Sequence, residues 1–451
     1  MPAVSRAADG ELALVLHTHM PYVEGFGTWP FGEEWLWEAV AACYVPLLDV
    51  LDAAPGRVTL SVTPVLGDQL AAPGALDRCA TFLREIRPAS HALDLRATSD
   101  PGERAALEHS AAAYAAAADR VAGVPGRLAA HATWTSAATH AILPLLATAA
   151  GVRLQLATGI AAHRARSGAW GGGLWLPECA HAPWLDPLLE AAGVRAVCVD
   201  LTDVLGAPRR PLRTAAGPLL VPLDRALLER VWSADGYPSR GAYRDTHRLT
   251  ARRHQAWAVA GGAYEPERAT AQARADAAAF VRDAAARVRD GGLATVAVDT
   301  ELLGLHWHEG PQWLAAVLEE AERAGLRVAP LDELLGDADP APPLPVTSWG
   351  APRDLTTWSG PGASGLAWRQ RGAELRALAA GPGVPERALR ELLALQSSDW
   401  AFLATHRTAG DYPLERAAGH AAAFTAALRG GEPPELRGLA PHLERAALFA
   451  A

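Results

Sequence analysis

The chain contains no lysine and no asparagine, so each of its 41 basic residues is an arginine. A Schiff-base lysine, the lysine of a phosphate-binding P-loop and a carbamylated-lysine metal bridge are thereby excluded. Cysteine is scarce: Cys43, Cys79, Cys179 and Cys198 lie scattered without Cys-x-x-Cys spacing. That argues against a zinc ribbon or a disulfide scaffold and predicts a reduced, cytoplasmic protein. No apolar run is long enough to span a bilayer. The opening stretch, MPAVSRAADGELALVLHTH, lacks the charged start, long apolar centre and cleavage site of a signal peptide. A cationic surplus is also missing, since the formal net charge is -9, which leaves no footprint for nucleic acid or an anionic membrane.

What the chain has in quantity is apolar residues and tryptophan, with 15 Trp against 7 Tyr and 7 Phe. At 451 residues it exceeds the size of one growing core, which predicts a large catalytic-sized domain plus a smaller one. Short apolar runs alternate with Ala-rich helical segments: LALVLH, VTLSVT, LQLATG, GLWLPE, AVCVD, LLVPLD, LATVAVD and LRVAPL. Such alternation predicts βα units around a parallel sheet, and this many predict a barrel. Residues Glu103 to Val121 read as a helix within an insertion, and Glu267 to Arg289 as a second long helix. After the Pro-rich linker DADPAPPLPV (337–346) the pattern turns helical to the end. Within it, 385–406 carries Leu389, Leu392, Leu393, Gln396, Trp400 and Leu403 along one stripe.

The ends of the strand candidates carry the polar residues: His17, His19, Glu178, Asp200, Asp224 and Asp299. In parallel βα architectures chemistry sits at those ends. Two readings follow. Glu178 and Asp299, facing one cavity, are the paired carboxylates of glycoside chemistry. His17 and His19, with His140 and Asp299 as further ligands, are instead the donor set of a metal-dependent hydrolase. The many tryptophans favour the first, because pyranose C–H faces lie well on indole rings. Asp399, beside the apolar stripe of its helix, needs a ligand or an arginine to offset its burial.

The strings LHTHMPYV (16–23), GLWLPECAH (173–181) and VDTELLGLHWHEGP (298–311), with ATHAILPLL, VWSADGYPSRGAYRD, YEPERA, SWG and LALQSSDWAF in order, resemble glycoside hydrolase family 57. Within it they resemble the α-1,4-glucan branching enzymes with a helical C-terminal domain. The resemblance implies an α/β fold: an incomplete (β/α)7 barrel over 1–340 with a helical insertion near 75–140, then an all-α domain over 341–451 completing the active-site cleft. It implies a retaining mechanism with Glu178 as nucleophile and Asp299 as general acid/base. It implies sugar subsites built from His17, His19, His140, Trp175, Trp232, Trp307, Trp358, Asp399 and Trp400. It also implies an α-glucan substrate, amylose or glycogen-like, with no metal and no other cofactor. The chain departs from the family's pattern at Leu305, where relatives have His, at His306, where they have Trp, and at Leu223, where they have Arg. Residues 200–223 also hold no Tyr or Trp. These departures leave branching, plain hydrolysis and glucan binding without turnover as the outcomes to separate.

Overall fold

The computed structural model describes residues 10–433 and 438–450. In chain order the strands are β1 (Glu11–Thr18), β2 (Thr59–Val62), β3 (Ala132–Ser136), β4 (Gly173–Trp175), β5 (Ala196–Val199), β6 (Leu212–Arg213), β7 (Leu219–Pro222), β8 (Leu293–Asp299), β9 (Arg327–Val328) and β10 (Asp339–Pro340). Their spatial order β7-β5-β4-β3-β2-β1-β8 is parallel throughout. β6 runs antiparallel to β7 with β10 beyond it, and β9 adds to β1. β1 is buried along all but its first residue, which is why its apolar run is nearly continuous: strands covered on both faces cannot alternate.

The sheet curls without closing. Where a full barrel would join β7 to β8 by a ladder, the Asp224 amide donates to the Thr295 carbonyl at 2.8 Å. The result is a half-barrel of seven parallel strands with helices outside it, as the resemblance implied.

Two strand expectations are corrected. LQLATG (154–159) is not a strand but the middle of the helix Ala149–Ser167. Thr148 caps that helix by accepting the Gly151 N–H, and Val152, Leu156 and Ile160 recur at a helical interval on its buried side. The strand in that part of the sheet is β3, whose Thr and Trp alternation carries a weaker apolar signal. LRVAPL yields only the two-residue β9, because Pro330 has no N–H to continue the ladder.

The insertion comprises the helices Ala75–Thr81, Arg87–Ala97, Pro101–Ala118 and Val124–His131, so the end of the span near 75–140 belongs to β3. The third of these helices begins where Asp100 accepts the Glu103 N–H. After the linker, the principal helices are Ser364–Ala379, Glu386–Leu395, Ser398–His406 and Tyr412–Leu428. Leu389, Leu392, Leu393 and Phe424 share a core with Tyr22, Val65, Ile142 and Leu154 from the half-barrel side.

The stripe read over 385–406 is broken into two helices at Gln396 and Ser397. The Gln396 amide donates to Glu374 at 3.0 Å and accepts from Gln155 at 3.0 Å, while the Ser398 N–H donates to the His140 carbonyl at 3.2 Å. Bonds to the half-barrel replace helix continuation there, and the break turns Asp399 toward the carboxyl ends of the strands.

Candidate active site

β4 begins at Gly173, where a Cβ would lie 2.1 Å from the indole nitrogen of Trp134; only glycine lets these strands close up. Beyond β4 the chain turns sharply, with Glu178 at φ 60° and Cys179 at φ 49°, and His140 beside them at φ 58°. Left-handed backbone at such residues costs of the order of 1–3 kcal/mol each and persists only where surroundings impose it. Here Trp349 does so twice: its amide donates to the Glu178 carbonyl at 3.0 Å and its indole N–H to Glu178 Oε2 at 2.9 Å. His181 and Thr347 exchange backbone hydrogen bonds at 2.9 and 3.0 Å just beyond. The segment after the linker thus fixes the turn that carries Glu178.

Across the sheet, parallel register sets His17 opposite Asp299. Both open onto a cavity of about 540 Å³ that also meets His19, His140, Glu178, Trp232, Glu301, Trp349, Trp358 and Asp399. The histidines form a stack, with ring centroids 4.1 Å apart for His19 and His140 and 4.9 Å for His17 and His140. His17 Nε2 meets His140 Nε2 at 2.9 Å, and His140 Nδ1 meets Ser398 at 2.8 Å. His19 bonds Thr63 through Nδ1 at 3.1 Å and Asp399 through Nε2 at 2.9 Å. Among the described residues no arginine lines this cavity. Of the two partners expected for Asp399, a ligand or an arginine, the arginine is absent and His19 stands in its place, while the carboxylate lines the cavity where a ligand would meet it.

Electrostatics separates the acids. Burial pushes Glu178 up to about 7, opposed by the Trp349 hydrogen bond, with Asp399 adding to the rise and His19 opposing it. Asp299 is pushed well above the carboxylate range by burial and then by the Glu178 and Glu301 charges. Glu301 reaches about 7 through burial, opposed by the Tyr44 hydroxyl, which donates to it at 2.6 Å. Burial lowers His19, but the Asp399 charge and hydrogen bond more than reverse this and raise it. Burial likewise works to raise Asp399, yet His19 brings it below its ordinary value. His17 and His140 are driven well down by burial, and neighbouring histidines add to that. The site thus sets the ion-paired His19 and Asp399 beside two imidazoles whose burial disfavours their charged form, and beside two buried carboxyls, Glu178 and Asp299, whose proton affinities are both raised.

Among the described residues, the donor atoms close enough to hold a metal are those of His19, His140 and Asp399, all within 4.8 Å of one another; neither His17 nor Asp299 belongs to that group. Each ring nitrogen of His19 and His140 already has a protein partner.

Of the nine residues expected to line sugar subsites, His17, His19, His140, Trp232, Trp358 and Asp399 do reach the cavity. Trp175, Trp307 and Trp400 do not and are corrected: each is buried, at 0%, 1% and 0% exposure. Trp175 stacks on the rear of His17 at 4.6 Å. Trp307 packs against Tyr243 and Trp313, and the Trp400 indole donates to the Ala394 carbonyl at 2.8 Å. Glu301 and Trp349, whose strings were quoted above without a role, prove to face the cavity. Leu305 and His306 sit on its lining, while Leu223 is buried in apolar surroundings that include Val221 and Trp349.

The sequence profile of glycosyl hydrolase family 57 matches residues 133–334, and that of the 1,4-α-glucan branching enzyme C-terminal region matches 378–434. A probable 1,4-α-glucan branching enzyme of Mycobacterium tuberculosis is 33% identical over 97% of this chain and 96% of its own length. The chain belongs to glycosyl hydrolase family 57. A branching enzyme of Thermococcus kodakarensis is 28% identical over 92% of this chain and 73% of its own. The crystal structure of the family 57 branching enzyme of Pyrococcus horikoshii superposes with a TM-score of 0.86 at 29% identity, covering 98% of this chain and 95% of that one. An α-amylase of Thermotoga maritima shares the fold at a TM-score of 0.80 and 22% identity, covering 98% of this chain and 97% of that one. Among the described residues of this family member, no helix is long and apolar enough to cross a membrane.

Proposed function

We propose that the chain is a retaining 1,4-α-glucan branching enzyme that cleaves an α-1,4 bond and re-forms the severed chain as an α-1,6 branch. The observation that carries this reading is the pair Glu178 and Asp299: two carboxylates on one cavity, with no arginine on its lining among the described residues and both raised in proton affinity by burial. Ionised Glu178 attacks the anomeric carbon, and its Oε–C1 bond forms as the C1–O4 bond breaks. Asp299 gives its proton to the departing O4. The 6-hydroxyl of a second glucan then yields its proton to Asp299 as O6 takes C1 from Glu178, restoring both groups.

His17, His19, His140, Trp232, Trp358 and Asp399 hold the sugar, the indoles offering flat apolar faces. The charged His19–Asp399 pair is fixed before substrate arrives, so it orients without reorganising. Residues 1–340 act as the barrel domain, and 341–451 as the helical domain that completes the cleft. The protein works in the cytoplasm, as four free, buried cysteines suit.

The test is incubation with amylose, enzymatic debranching and a count of reducing ends, with Glu178→Gln alongside. New α-1,6 linkages with few new reducing ends, absent in the variant, are expected. Reducing ends without branches would replace branching by hydrolysis, and branches surviving in the variant would remove Glu178 from its role.

A further inference from the structure

A second, larger groove of about 810 Å³ adjoins the first and shares Trp35, Leu305 and His306 with it. Ser90 and His254 both line it. Ser90 Oγ lies 3.0 Å from His254 Nε2, and His254 Nδ1 lies 2.8 Å from Asp94 Oδ2. We infer that Ser90, His254 and Asp94 form a second catalytic site, one that hydrolyses carboxylic esters carried on a glucan; the glucan part of this inference rests on the function proposed above.

The proton order within the chain follows from the neighbours. Asp94 also accepts from Thr250 and, at 2.9 Å, from Arg252; these bonds and the one from His254 hold it below its ordinary value although burial acts the other way. An ionised Asp94 only accepts, so His254 Nδ1 carries the hydrogen and Nε2 presents its lone pair to Ser90. Burial lowers the basicity of His254 despite Asp94, leaving it neutral and able to take a proton. The Ser90 hydroxyl also donates to the Arg87 carbonyl at 2.9 Å, an oxygen that His91 Nδ1 faces at 2.8 Å as well, so rotation about Cβ–Oγ turns its hydrogen from that carbonyl to His254 Nε2. His91 stacks on His254 at 3.7 Å and is pushed down to about 4, by burial first and then by His254. It therefore adds no positive charge against an imidazolium. Nucleophile, base and orienting acid thus stand in the relation that acyl transfer requires. Arg253 lines the same groove and is a cation available to an oxyanion, whereas Arg87 is paired with Glu38 and Arg252 with Asp94.

In the reaction Ser90 Oγ bonds the acyl carbon while its proton passes to His254 Nε2. The ester C–O bond breaks and the sugar oxygen leaves with that proton. Water, deprotonated by His254, then releases the carboxylic acid and restores Ser90. No oxidant, reductant or metal is needed.

The experiment uses the full chain with a fluorophosphonate probe, peptide mapping of the labelled residue, and turnover of p-nitrophenyl acetate and O-acetylated amylose. Wild type is expected to label at Ser90. Ser90→Ala should lose the label and at least about 10³-fold in ester turnover, with amylose branching unchanged. Asp94→Asn, which spoils the histidine tautomer, should slow labelling. Glu178→Gln should keep the label and lose branching. An unlabelled wild type, or a label and esterase activity that survive Ser90→Ala, would overturn the inference. Because the probe requires no glucan, a wild type that labels at Ser90 but fails to branch amylose supports the ester site and overturns the branching reading alone.

Discussion

Four of the carboxylates that follow strand ends in this half-barrel keep different company. Asp200, after β5, is bound by Arg225, and Asp224, after β7, by Arg287. Asp224 also caps the helix Arg225–Trp232. Glu178, after β4, and Asp299, at the end of β8, open instead onto a cavity whose lining holds no arginine among the described residues. In sequence all four look alike. The first two are architecture, their charge matched before any ligand arrives. The second two gain nothing in stability from burial without a cation, so their placement makes sense through the chemistry it permits.

Exchanging the two kinds should break the protein in opposite ways. Asp299→Asn is expected to lower kcat by about 10³-fold without lowering Tm, whereas Asp200→Asn keeps its activity per folded molecule and loses about 3 kcal/mol of stability. Urea unfolding and initial rates on amylose measure the two effects. An Asp200→Asn protein that folds normally and fails to turn over would erase the distinction.

A smaller effect concerns how Glu178 keeps its charge. In the nucleophile's role proposed for it, this carboxyl, pushed up to about 7 chiefly by burial, must be ionised, so the rate should rise as pH climbs through that region and be lost below it. The Trp349 indole N–H favours the ionised form. Trp349→Phe therefore raises the proton affinity further and shifts the rising limb to higher pH, with a loss of roughly 10-fold at acid pH that shrinks in alkali. A pH–rate profile whose limb stays put would detach Trp349 from the titration.

The smallest effect separates lining from buried tryptophan. Trp232 is 40% exposed and packs edge-on against Trp349 at 4.6 Å. Trp232→Ala should raise KM by roughly 3- to 10-fold with kcat nearly held, while Trp307→Phe should lower Tm and leave KM alone. Steady-state kinetics on amylose would expose the reverse pattern directly.

Much of the site was legible because strand-end acids and the HTH string stand out against apolar runs. The strand positions of Glu178 and Asp299 needed only the βα alternation, and the motifs in their order carried the family. What stayed hidden depends on contacts between distant segments. Nothing local tells Trp175 from Trp349, yet one props His17 from behind and the other holds Glu178 from the cavity side. LQLATG reads as a strand until Thr148 is seen capping a helix. The stripe at 385–406 reads as one helix because Gln396 fits an amphipathic face, and contacts with distant segments, Gln396 with Gln155 and Glu374 and Ser398 with His140, interrupt it.

The turn at Glu178 and the strand-like segment Thr347–Trp349 are clipped together by backbone on both flanks. In evolutionary terms the two pieces are not exchangeable parts. A recombinant that joined this half-barrel to the helical portion of a relative would inherit a catalytic loop whose shape is written in the other parent. The hydrogen bonds between the Glu178 turn and Thr347–Trp349 make the two stretches one mechanical unit, although more than 160 residues of chain separate them.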